Sequence, residues 1–158
     1  MVKYSTMPRT VTMEELEGLV GQEIASSEWV AVTQEMIGRF ADATGDHQWI
    51  HVNPARAAAE THFGGTIAHG FLTLALLSSL SRDAFDVAGD FKMRINYGLN
   101  RLRFVAPVPA GSKIRARFTL GAIERVQGGW QTTWNVIVDI EGGAKPALVA
   151  EWLTRAYE

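Results

Sequence analysis

At 158 residues, with 47% hydrophobic and 20% charged side chains, the chain has the size and composition of one soluble globular domain with a core of its own. A net charge of −2 supplies no basic surplus for a nucleic-acid backbone, and the absence of cysteine excludes disulfides, thiol nucleophiles and zinc–thiolate sites. Residues 1–16 lack the apolar core of a leader peptide, and the longest apolar run, residues 71–80, is about half a membrane span. A cytoplasmic protein is expected, with no nucleic-acid partner and no membrane insertion.

Thr12 and Glu15 have capping-box spacing and predict a short helix that Gly21 ends. Residues 27–32 read as a strand. Thr33 caps a following helix that carries Met36, Ile37, Phe40 and Ala41 on one face and closes at Gly45. Residues 46–51 then form a loop or tight turn, and Asn53-Pro54 starts a small helix through Ala59. After the break at Phe63-Gly64-Gly65, residues 70–80 are apolar on nearly every side, which predicts a helix wrapped by other structure. Residues 91–97, 101–105, 112–126, 130–141 and 146–157 alternate as strands do, with Gly128-Gly129 and Gly142-Gly143 as hairpin turns. The expected fold class is α+β: a long central helix wrapped by a curved antiparallel β-sheet, in one domain spanning residues 1–158.

Chemistry concentrates in residues 40–81. All four histidines fall between positions 47 and 69, Asp46 precedes His51 by five residues, and His69-Gly70 opens the apolar run. An ionisable pair beside a helix start that can bind an oxyanion suits acid–base work on a carbonyl compound. The alternative is that Asp46 caps a turn and His51 satisfies a buried backbone group. His47 and His51 form H-x-x-x-H, but Gln48 stands where a zinc protease has its glutamate, and a third ligand would have to be His62 or His69; no metal site is expected. His69 orders the preceding loop more readily than it reacts. Ser78, two helical turns beyond Gly70, either supports the site or bonds back to its own helix, and no nucleophile elbow surrounds it.

The stretches TGDHQWIHVNP and IAHGFLTLALLS resemble the signature of MaoC-like dehydratases, the R-specific enoyl-CoA hydratases of the hot-dog fold, and the small single-domain actinobacterial members in particular. The matched positions are Gly45-Asp46, His51, Asn53, His69-Gly70 and Ser78, and residues 96–112 resemble the family's arginine–phenylalanine strand. The resemblance implies an Asp46–His51 catalytic dyad, an oxyanion contact at Gly70, and a homodimer that adds water to trans-2-enoyl-CoA without a cofactor. Gln48-Trp49 replaces an Asn-Pro common in the family, so Trp49 is placed where it would narrow or roof the acyl pocket. Arg101 and Arg103 share one side of a strand, either as a solvated face or as contacts for coenzyme A phosphates. The rival readings are a hot-dog acyl-CoA thioesterase and a non-catalytic hot-dog subunit; retention of the dyad favours the hydratase.

Overall fold

Side-chain caps start three of the helices. Thr12 and Glu15 exchange both bonds of a capping box at the start of α1 (Met13–Glu17). Gly18, not Gly21, caps its end; the Gly21 N–H instead donates to the Leu120 carbonyl at 2.7 Å. Thr33 caps α2 (Gln34–Thr44), which buries Ile37 and Ala41. Gly45 ends that helix in the left-handed region at φ 77°, a conformation most side chains resist. Residues 46–51 are not all loop, because Trp49–Val52 forms a helical turn, α3, that carries His51. Asn53 then accepts from the Arg56 N–H and caps α4 (Pro54–Glu60). The computed structural model describes residues 8–158; residues 1–7, part of the stretch read as lacking a leader, lie outside the described residues.

The apolar run forms two consecutive helices, α5 (Gly70–Ala75) and α6 (Leu77–Ala84), instead of one. They meet at Leu76, whose backbone stays helical at φ −69° and ψ −15°. Ser79 Oγ donates to the Leu76 carbonyl at 3.0 Å, a side-chain bond of the kind that competes with the helix ladder. Leu72, Leu77 and Leu80 are buried, whereas Phe71 is 67% exposed, so the helix is covered on one side only.

Six strands form the main sheet: β2 (Glu23–Ser26), β3 (Val30–Ala31), β5 (Met93–Phe104), β6 (Lys113–Val126), β7 (Gly129–Ile140) and β8 (Leu148–Tyr157). Every pairing in it is antiparallel, in the order β2-β6-β7-β8-β5, with β3 also on β6. The expected meander holds for β6-β7-β8, but β5 joins at β8 and leaves its other edge open. The segments 91–97 and 101–105 are one strand, β5, bulged between Asn96 and Gly98 and between Leu99 and Arg101. The expected strand at 27–32 is split: the Ser27 N–H donates to the Ala116 carbonyl while Ser27 Oγ accepts from the Ala116 N–H, substituting a hydroxyl for a ladder carbonyl. A parallel pair, β1 (Arg9–Thr12) with β4 (Phe85–Ala88), was not foreseen, because four residues are too few to show alternation.

The core lies between the helices and the concave side of this sheet. Phe85 sits between Phe118 and Trp134, with ring centroids 5.4 and 4.7 Å away. Leu16, Ile37, Leu80, Phe118 and Leu148 are fully buried, each contributing about 1.5–3 kcal/mol of hydrophobic stabilisation. No helix among the described residues is long and apolar enough to cross a membrane.

Candidate functional site

Three segments converge on His51: the end of α2, the turn α3, and the strand-like residues leading into α5. The left-handed turn at Gly45 throws Asp46 out of the helix axis, and Asp46 Oδ1 accepts from the Gln48 N–H at 3.3 Å. Asp46 is exposed, yet one of its carboxylate oxygens stays within 4.8 Å of a ring nitrogen of His51. His51 is buried, and its Nδ1 lies 2.7 Å from the Ile67 carbonyl. A carbonyl only accepts, so Nδ1 carries the proton and Nε2 carries a free lone pair. Burial is the largest influence on His51 and lowers its pKa from 6.5; the Ile67 carbonyl opposes it, His69 adds to the fall, and Asp46 opposes it more weakly.

His69 is more than a loop anchor. Its ring stacks on His51 at 3.8 Å between centroids, and its Nε2 donates to the Asp46 carbonyl at 2.9 Å. By the same reasoning its Nδ1 is a bare acceptor, and it is buried without a hydrogen-bond partner. One ligand atom from each of Asp46, His51 and His69 lies within 4.8 Å of the other two, a cluster large enough to consider for a metal ion. Stacked imidazoles aim their in-plane lone pairs past one another, which is poor geometry for shared ligation. The H-x-x-x-H pair is separated outright, since His47 is exposed and bonds Asp42 at 2.9 Å, a contact that raises its pKa. His62 is also exposed and lies against Phe63.

Gly70 begins α5 beside this cluster, and the first N–H groups of a helix have no acceptor within it. A Cβ at position 70 would stand 3.0 Å from the Phe104 ring, so any side chain here would press on that ring. Gln34 Nε2 donates to the His51 carbonyl at 2.8 Å, and Thr66 Oγ1 donates to Gln34 Oε1. These supports escaped the sequence reading because neither lies in a motif; a glutamine in the first turn of a capped helix is ordinary.

The remaining candidates are more scattered. Asn53 is occupied as the α4 cap, and Trp49 is half-buried beneath the Arg56 guanidinium at 4.2 Å. Ser78 does not bond back to its helix; its Oγ pairs with the Asn96 amide at 3.2 and 3.4 Å across to β5. Arg101 and Arg103 are exposed on β5, and neither forms an ion pair among the described residues. Two clefts, of about 570 and 240 Å³, meet at Ser78 and Asn96; Asp46, His51, Gly70 and Trp49 line neither.

Residues 15–140 match the model of the MaoC-like domain. The chain belongs to the MaoC-like dehydratase family. It is 52% identical to 3-hydroxyacyl-thioester dehydratase Z of Mycobacterium tuberculosis over 145 residues, covering 91% of this chain and 95% of that protein. It is 48% identical to nodulation protein N of Rhizobium meliloti, over 92% of this chain and 91% of that one. Among solved structures, R-hydratase PhaJ1 from Pseudomonas aeruginosa superposes with a TM-score of 0.69 at 26% identity, covering 96% of this chain and 86% of that one. The α+β fold, an antiparallel sheet around a central helical segment, is the hot-dog fold of these MaoC-like structures.

Proposed function

We propose that the protein is an (R)-specific enoyl-CoA hydratase, equally a 3-hydroxyacyl-CoA dehydratase, that adds water reversibly to trans-2-enoyl-CoA. The observation that carries this reading is the convergence of Asp46, His51 and the start of α5, with His51 held as the tautomer whose Nε2 is free. In hydration, Nε2 takes a proton from water as the oxygen bonds to C3. The C2–C3 π electrons move toward the thioester carbonyl, whose oxygen receives the Gly70 N–H and the positive end of α5. As the enolate collapses, the proton taken up by His51 is passed through the Asp46 carboxylate to C2, so the water molecule is fully accounted for and both side chains end as they began. Dehydration retraces these steps, and no cofactor takes part because the thioester itself acidifies C2.

The R stereochemistry and the thioester substrate are supported by the dehydratase and R-hydratase relatives. Arg101 and Arg103 are assigned to coenzyme A phosphates on the strength of their exposure and lack of ion-pair partners. A homodimer is supported by β5, a twelve-residue edge strand that exposes Met93, Ile95, Tyr97 and Leu99. A cytoplasmic location accords with this substrate.

Incubation with crotonyl-CoA, followed by separation of products, tests the reading. 3-Hydroxybutyryl-CoA of R configuration is expected; free coenzyme A with crotonate would make the protein a thioesterase.

A further inference from the structure

The two clefts adjoin along a seam between the helices α5–α6 and strand β5, where both are lined by Ser78, Asn96 and Trp152. Residues facing each other across the seam change character along it. Near Gly70 the Phe71 ring meets Phe104 edge-on at 5.7 Å, and one turn later Leu74 and Leu99 line the smaller cleft. Ser78 and Asn96 hydrogen-bond midway, and Arg82 and Arg94 both line the larger cleft at the far end. At 1.5 Å per residue, Gly70 and Arg82 are at most roughly 18 Å apart along the two consecutive helices. Arginine side chains lean back toward the helix N-terminus, which shortens that reach.

The far cleft has an excess of positive charge. Arg82, Arg94 and Arg155 line it against a single carboxylate, Asp86. Asp86 is committed to Arg94 at 3.1 Å, and Arg94 also donates to the Val87 carbonyl. Arg155 donates to Gln131 and stacks on the Tyr97 ring at 3.5 Å, with no carboxylate partner. No side-chain hydrogen bond or ion pair among the described residues engages the Arg82 guanidinium. The floor adds a donor. Thr132 and Thr154 share one hydroxyl hydrogen at 2.7 Å while Trp134 Nε1 donates to both, so the second hydroxyl hydrogen is left without an acceptor.

We propose that this cleft binds a carboxylate at the far end of the acyl chain, so that the preferred substrate is an enoyl thioester with an ω-carboxyl terminus instead of a methyl one. The inference rests on the hydratase reading above and names the substrate class of that same site. The shared chemistry is an anion on a flexible chain, which a coenzyme A phosphate would also supply. The smaller cleft presents Leu74, Leu77 and Leu99, an apolar lining that favours an acyl chain over the amides of a pantetheine arm.

The test measures kcat/KM for trans-2-decenoyl-CoA and trans-2-dodecenoyl-CoA and for the same chains with a terminal carboxylate. Each is also supplied as the N-acetylcysteamine thioester, which lacks phosphates. Wild-type protein is expected to favour the carboxylated chain by about tenfold, the scale of one charge-assisted hydrogen bond, on both carriers. Arg82→Gln with Arg155→Gln should collapse that ratio, and Arg82→Glu, at an exposed position that does not threaten folding, should invert it. A wild-type ratio at or below one overturns the proposal. So does a variant that depresses both chains equally on coenzyme A and has no effect on N-acetylcysteamine, because the arginines then hold phosphate. Calorimetric titration with saturated decanoyl-CoA and its ω-carboxyl counterpart reads the same preference without turnover. A failure of hydration with crotonyl-CoA is therefore told apart from a failure of this cleft.

Discussion

The His51 imidazole lies face to face with that of His69, 3.8 Å between centroids and 26° between planes, while each ring donates its proton to a main-chain carbonyl. The carbonyls belong to Ile67 and Asp46, so one stacked pair ties together the segment before α5, the turn α3 and the loop after α2. A protonated His51 would place a charge against the His69 ring in a buried setting.

That arrangement gives a pH dependence with a definite sign. Burial first, with His69 assisting, depresses the His51 pKa below 6.5. Only the neutral ring can act as base, so the acid limb of kcat/KM should fall at a pH below 6.5. Below 6.5 the unfolded state binds more protons at this residue than the folded state does. Its contribution to stability is therefore present above 6.5 and lost as pH falls through the depressed value. Melting curves of wild type and His51→Gln between about pH 5 and 8 should converge on the acid side. An acid limb centred above 6.5 would remove His51 as the base.

If Asp46 and His51 act as a unit, Asp46→Asn and His51→Gln should each lower kcat/KM about a hundredfold to ten-thousandfold, or about 3–5 kcal/mol of transition-state stabilisation. The double variant should lose little beyond the worse single one. Binding of a saturated acyl-CoA should be nearly retained. Two folded single variants that each keep more than about a tenth of wild-type activity would make the pair structural.

Chelation tests the Asp46, His51 and His69 cluster. With the imidazoles stacked, turnover is expected to survive exhaustive EDTA and dialysis unchanged. Loss of activity that zinc restores would reassign His51 from free base to ligand.

Gly70→Ala places a Cβ 3.0 Å from the Phe104 ring. The expected cost is about 1–3 kcal/mol of stability, read by urea denaturation, with kcat/KM reduced as well. Adding Phe104→Leu should restore most of the stability. If it does not, the clash is relieved elsewhere and Phe104 does not confine Gly70.

The exposed apolar residues of β5 predict a dimer through that edge. Ile95→Lys with Leu99→Lys should convert it to a monomer in light scattering after gel filtration, since paired lysines repel across a two-fold contact. A mass unaffected by the substitutions would place the contact elsewhere.

Local chemistry made much of this molecule legible in the sequence. Thr12 with Glu15, Thr33 with Gly45, and Asn53 with Pro54 mark helix ends because each cap satisfies its own neighbours, and the alternation of β6, β7 and β8 reports one buried face. The spacing of Asp46, His51 and Gly70 pointed to a candidate site, and the fold does gather Asp46 and His51, with His69, at the start of α5. What depends on contacts between distant segments was not written in any window of sequence. Strand β5 crosses to β8. The Ile67 carbonyl fixes the His51 tautomer from 16 positions away, and Asn96 meets Ser78 from 18. Sequence periodicity encodes which face is buried; only the tertiary structure decides which partner that face, or a single polar atom on it, will meet.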